Sequence, residues 1–184
     1  MEPVHLSDGV VRLSPFGLAH ARAHLAGEDA ELVRWLNGGP GTPDGVAAYA
    51  RRCERCWADG ADPRAFAITV GGTGEQAGYI DLRFRAEYIT AGEVNVSYGI
   101  YPQWRGRGLV TRAVRLVCEY AGREGARWAV IRTDPGNRRS ADVARRAGFR
   151  FDRRVVESGG EVFDRHLLDL ASGGVVPGAD DRPS

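Results

Sequence analysis

Apolar and polar positions alternate with period two along several stretches of the chain and with a helical period along others, which predicts an order of elements. Residues 10–13 (Val-Val-Arg-Leu) read as a short strand, and 17–25 as a helix. A second helical region covers 31–36 and 45–58, broken by Asn37-Gly38-Gly39-Pro40-Gly41. Strands follow near 65–70, 78–86 and 93–101. In the last of these Val94, Val96 and Tyr98 alternate with Glu93, Asn95 and Ser97, giving one apolar and one polar face. Beyond Gly108, the residues Val110, Val114, Val117, Cys118 and Ala121 fall on one face of a helix. Residues 128–133 read as a strand, 138–147 as a helix ended by Gly148, and 150–156 with 162–170 as a hairpin turning at Ser158-Gly159-Gly160. The tail 171–184, rich in Gly, Pro and Asp, is expected to be disordered. The pattern predicts a mixed sheet with helices on both faces, an α/β (α+β) fold in a single domain over 1–170.

Chemistry concentrates where the strand 93–101 runs into Gln103-Trp104-Arg105-Gly106-Arg107-Gly108 and then directly into a helix. A glycine-rich turn at a helix start aims unpaired backbone N–H groups at one point, where the helix dipole adds its positive end, so a phosphorylated ligand suits it. The nucleotide-hydrolase P-loop needs Lys and Ser or Thr after its last Gly, whereas Gly108 is followed by Leu109-Val110-Thr111. The dinucleotide fingerprint needs a third glycine and a place near the start of a domain, and both are lacking. Gln-x-x-Gly-x-Gly remains. It resembles the pyrophosphate loop of the Gcn5-related N-acetyltransferase (GNAT) superfamily.

Further segments carry the same resemblance. Pro135-Gly136-Asn137-Arg138-Arg139-Ser140 followed by Ala147-Gly148-Phe149 is similar to the second cofactor motif of that superfamily. Ala77-Gly78-Tyr79-Ile80-Asp81-Leu82 is similar to its central hairpin. Gly92-Glu93-Val94-Asn95-Val96-Ser97-Tyr98 with Ile100-Tyr101-Pro102 resembles the branch holding ribosomal-protein N-terminal acetyltransferases (RimJ/RimL-like). The resemblance covers about 10–170. It implies a mostly antiparallel, twisted sheet of about seven strands, and an enzyme moving an acyl group, most simply acetyl, from acetyl-CoA to a primary amine of a small molecule or peptide.

Acyl transfer from a thioester needs a neutral amine, a polarised carbonyl oxygen and a protonated or solvated leaving thiolate. Backbone donors for the pyrophosphate are expected at Gly106, Arg107, Gly108 and Leu109, continuing into Val110 and Thr111, with Gln103 opening the motif; Arg105 and Arg107 either add charge or stay solvated. The resemblance puts Ile100 and Tyr101 beside the pantetheine arm, with their backbone polarising the thioester. Many members carry a leaving-group Tyr seven residues after the motif Asn, and here that residue is Ala144. In the ribosomal-type branch the Ser three residues after the Asn takes that role, here Ser140; a helix-capping hydroxyl is the alternative. Asn137 is expected to touch the pantetheine, cap its helix, or both. Glu93 is the first candidate for the base, on a strand face with Asn95, and Asp81 with Arg83 on its own face is the second. Exposed ion pairs are the alternative for both carboxylates. The resemblance also implies that Glu157, Glu161 and Asp164 reach the acceptor and that Trp35 and Asn37 form a mobile wall of its site, with a core position the alternative for Trp35.

Composition narrows the rest. The formal charge is +1, and the basic residues, all arginine, alternate with acids, which disfavours nucleic acid as a partner. No apolar run spans a membrane, no leader pattern is seen, and three cysteines suit reduced thiols, so a cytoplasmic monomer or homodimer is expected. Cys53-x-x-Cys56 falls inside a helix without a second pair, and His20 and His24 lack a third ligand and read as surface residues, so no metal is expected. A non-catalytic acyl-CoA-binding module, or a transferase using a carrier-protein- or tRNA-linked donor, stays open beside the acyltransferase.

Overall fold

The computed structural model describes residues 4–157 and 159–171. Its centre is an eight-stranded sheet in the order β1-β2-β3-β4-β5-β6-β8-β7. The strands are β1 (Leu6–Ser7), β2 (Val11–Pro15), β3 (Arg64–Val70), β4 (Gln76–Arg83), β5 (Glu93–Ile100), β6 (Trp128–Thr133), β7 (Arg150–Val156) and β8 (Val162–Asp169). Seven stand where the alternation predicts them. The eighth, β1, is two residues long, too short for a period to register, and is held by the pairing of Leu6 with Leu13. All neighbours are antiparallel except β5 and β6, which run parallel. Ser158 and residues 172–184, which hold most of the expected tail, lie outside the described residues.

Helices cover both faces because alternate strand residues point to opposite sides. Phe66, Ile68, Ile80, Leu82, Val94 and Val96 pack beneath α4 (Leu109–Arg123), which presents Val110, Ala113, Val114, Val117 and Ala121. On the other face Ala65, Ala67 and Tyr79 meet Phe16, Ala50 and Cys53, with α1 (Leu18–Ala26) and α3 (Pro43–Asp59) above them. Each fully buried valine or leucine contributes roughly 1.5–3 kcal/mol relative to its exposed state.

Helix starts follow their caps. The side chain of Thr42 accepts from Gly45 N–H and Pro43 holds the first turn, so α3 begins two residues before the apolar pattern does. Residues 31–36 fold as a short α2 (Ala30–Leu32), capped by Asp29, that widens into a π-helical turn, Val33–Asn37, ended by Gly38 at φ 67°. His24 is not a surface residue: it is buried against Phe16, Tyr49 and Tyr79, where burial depresses its pKa. Cys53, Cys56 and Cys118 are buried free thiols.

Candidate active site

The parallel pairing of β5 with β6 runs only from Glu93↔Trp128 to Asn95↔Val130. Beyond it lies a cleft of about 990 Å³, bordered by Val96, Ser97, Tyr98, Gly99 and Ile100 of β5, the glycine loop, the first turn of α4, and α5 (Arg138–Arg146). Tyr101 N–H donates to Ala77 carbonyl at 2.8 Å, which fixes the hydrogen-bond alternation along the antiparallel β4–β5 pair. By that alternation the backbone groups of Tyr98 and Ile100 face away from β4, toward the cleft. Leu109, Val110 and Thr111 in the first turn of α4 have no intrahelical acceptor for their N–H groups, and all three border the same cleft.

Gly106 and Gly108 have φ of 75° and 73°, a region other residues enter at a cost of about 1–2 kcal/mol. A Cβ at either would meet no protein atom within 4 Å, so the backbone conformation, and not crowding inside the chain, calls for glycine here. The same openness lets a ligand approach the main chain closely.

The structure divides the residues expected at the cofactor. Ile100, Gly106, Gly108, Leu109, Val110, Thr111, Asn137 and Ser140 border the cleft. Tyr101, Gln103 and Arg107 do not. Tyr101 is buried, its amide is spent on Ala77, and its hydroxyl accepts from Gln76 Nε2 at 2.7 Å, so its backbone N–H cannot polarise a thioester. Gln103 is exposed in the short 3-10 turn Pro102–Trp104, and the guanidinium of Arg107 lies 4.8 Å from the Trp104 ring. Arg105 reaches the cleft but is held bidentately by Asp29 at 2.7 and 2.8 Å, with Glu31 at 3.0 Å, so its charge is already compensated. That hydrogen bonding holds the Asp29 carboxyl below the ordinary carboxylate range.

At the other wall Asn137 Oδ1 accepts from Ser140 N–H at 3.1 Å and caps α5. Ser140 Oγ lies 3.0 Å from the Tyr98 hydroxyl, which also lies 3.0 Å from the Ser140 carbonyl. Burial pushes the Tyr98 phenol up to about 12 against the opposing pull of Ser140. Ala144, the position of the family's tyrosine, is fully buried in the core under the sheet. Tyr98 escapes the sequence reading because alternation assigns it to an apolar face. Where the two strands part, residues of both faces border the gap.

The carboxylates expected as bases are engaged elsewhere. Glu93 is ion-paired with buried Arg165, which also holds Asp152, and it accepts from Thr90 N–H at 3.0 Å. Asp81 is 4% exposed, faces Arg83 at 3.5 Å, and is raised to about 6 by burial. Neither borders the cleft, and nor do Arg83 and Asn95; Asn95 is buried and donates to Ser97 Oγ at 3.0 Å. The polar face of β5 therefore contributes only Ser97. Among the hairpin acids Glu157 pairs with Arg132 and Asp164 with Arg154, while Glu161 borders the cleft. Trp35 borders it too, and the Asn37 side chain lies outside the described residues. Glu31 and Arg139 meet at 2.9 Å and tie α2 to α5. No sequence signal links those two, because the pair exists only through the fold.

Residues 11–150 match the acetyltransferase (GNAT) domain family. No curated protein sequence matches the chain significantly. Among solved structures, the ribosomal-protein-S5-alanine acetyltransferase from Vibrio fischeri is similar at 14% identity and a TM-score of 0.74, over 91% of this chain and 97% of that one. RimL, a ribosomal L7/L12 α-N-protein acetyltransferase solved with coenzyme A, is similar at 17% identity and 0.75, over 91% and 98%. An aminoglycoside acetyltransferase, AAC(6')-Ib, also solved with coenzyme A, is similar at 16% and 0.73, over 86% and 94%.

Proposed function

The chain belongs to the acetyltransferase (GNAT) family, as an acetyl-CoA-dependent N-acetyltransferase, and from that premise we propose that its cleft carries acetyl directly to a primary amine of a small molecule or a peptide N-terminus. The observation behind this reading is the convergence, on one cleft, of three things the reaction needs. These are the α4 first-turn amides, the outward backbone of Tyr98 and Ile100, and the paired hydroxyls of Ser140 and Tyr98.

Acetyl-CoA brings the thioester, and the chain's residues suit it. Gly106, Gly108, Leu109, Val110 and Thr111 would hold the pyrophosphate on backbone N–H groups beside the positive end of α4. The outward Tyr98 and Ile100 backbone would polarise the acyl carbonyl, in place of the Tyr101 amide. Ser140 gives the proton to the departing sulfur. Trp35 walls the acceptor end, and Glu161 attracts the incoming ammonium and takes its proton through water. Glu93, Asp81, Arg83 and Asn95 are supports behind the site. The structural neighbours, whose names give a ribosomal-protein alanine, a protein α-nitrogen and an aminoglycoside, fit an amine acceptor of either size. The free cysteines fit a reducing, cytoplasmic setting, and no described helix is long and apolar enough to cross a membrane.

A panel of peptide N-termini, amino acids, polyamines and aminoglycosides assayed with acetyl-CoA for free thiol tests the reading. Thiol release with at least one amine is expected. Saturable CoA binding with no release against any amine would instead make the chain a binding module.

A further inference from the structure

We infer that Tyr98 supplies Ser140 with the proton that Ser140 passes to the departing sulfur, so that the two hydroxyls act as one relay across the cleft. The inference rests on the acetyl-transfer reading above. Its ground is the position of one phenol between two acceptors. The Tyr98 oxygen is 3.0 Å from Ser140 Oγ and 3.0 Å from the Ser140 carbonyl oxygen. A carbonyl oxygen only accepts, and a phenol has one proton, so two arrangements exist. With the phenol proton on the carbonyl, the Ser140 hydroxyl must point its own proton at Tyr98. With the phenol proton on Oγ, the Ser140 proton is free to point into the cleft. Rotation of both hydroxyls about their C–O bonds interconverts them, and each acceptor lies within hydrogen-bond reach of the phenol.

Serine alone is a poor acid here, since donation would leave an alkoxide in a partly buried site. A phenol is the stronger acid: even pushed up by burial, Tyr98 stands at about 12. Moving the phenol proton onto Oγ as Oγ releases its own avoids the alkoxide. The placement is fixed from both walls, with Tyr98 on β5 and Ser140 in the first turn of α5, its amide capped by Asn137 at 3.1 Å. Of the other hydroxyls at this end, Ser97 Oγ accepts from Asn95 Nδ2 at 3.0 Å and Thr133 Oγ1 lies 3.1 Å from His166 Nε2, so each has a partner of its own apart from Ser140. With Ala144 buried in the core, the phenol comes from β5 and not from α5.

The step balances. The amine lone pair forms the C–N bond, and the C–S bond breaks with its electron pair on sulfur. Sulfur takes the Ser140 proton, and Ser140 Oγ takes the Tyr98 proton. The phenolate left behind recovers the proton shed by the nitrogen through cleft water. The products are amide and thiol.

Tyr98→Phe, Ser140→Ala and the double variant test the relay. Each single change is expected to lower kcat about 100-fold while KM for acetyl-CoA holds, and the double variant is expected to be no slower than either. Losses that multiply in the double variant, or a Tyr98→Phe enzyme with wild-type kcat, would overturn the relay. A second reading uses CoA itself, without turnover. Hydrogen bonding favours the bound thiolate, so thiolate absorbance should appear at lower pH on the wild type than on either single variant, and the two variants should coincide. A wild-type titration on Tyr98→Phe would reject the role of Tyr98. If Tyr98→Phe proves too unstable to purify, kcat of the wild type in H2O/D2O mixtures decides: a quadratic dependence on deuterium fraction means two moving protons, and a linear one means that Ser140 acts alone. Failure of all amines in the thiol-release panel would defeat the acetyl-transfer reading instead, while the CoA titration would still report on the pair.

Discussion

Arg165, with its side chain 5% exposed, lies between Glu93 and Asp152 and is ion-paired with both. A buried guanidinium needs its counter-charges, since removing one partner of a buried pair costs about 3 kcal/mol or more. Glu93→Gln is therefore expected to lower the urea-unfolding stability by about 3 kcal/mol while kcat at saturating amine changes little. The opposite outcome, unchanged stability with a large loss of kcat recovered at high pH, would restore Glu93 as a base. The sequence pairs Glu93 with Asn95 and Ser97 correctly by alternation, yet it gives no sign that Arg165 stands opposite. Arg165 is 72 positions away and meets Glu93 because β8 pairs with β6, which pairs with β5.

Among the elements, α4 carries most of the legible function. Its apolar face, its glycine start and its place after β5 are all written locally, because helix periodicity and left-handed glycines leave marks within a few residues. Gly108→Trp tests the element directly. The substitution costs about 1–2 kcal/mol for the positive φ. A Cβ there would meet no protein atom within 4 Å, so the bulk is added at an open position on the border of the cleft. The variant should remain folded, and the rise in melting temperature that acetyl-CoA gives the wild type by mass action should disappear. Equal rises in both proteins would detach the loop from the cofactor. The segment before this loop is less legible: α2 and its π-helical turn read as one helix from sequence, and their clamps, Asp29 to Arg105 and Glu31 to Arg139, join partners 76 and 108 positions apart.

The stability of the whole molecule carries the mark of Asp81, buried beneath α3 with its pKa raised from 3.8 to about 6. A carboxyl raised on folding is protonated in both states at low pH, and its contribution is lost as pH rises. Between about pH 4 and pH 6 the unfolded chain ionises first, so stability falls through that window by up to about 3 kcal/mol and is then level. Asp81→Asn should lack this fall: urea midpoints at pH 4 and pH 7 should show the wild type losing ground to the variant, and parallel midpoints would reject the assignment. At this scale the division between sequence and fold is sharpest. The sequence by itself determined seven of the eight strands and their order, the glycine loop and the family, because periodicity, turn residues and motif spacing are short-range. Only the tertiary structure decided that β5 and β6 stop pairing after Asn95, that Tyr98 meets Ser140 in the gap, that Glu93 is ion-paired with Arg165 and that Asp81 is buried. Those facts depend on which strand lies beside which, and side chains far apart in the chain acquire their partners and their solvent only when the sheet closes.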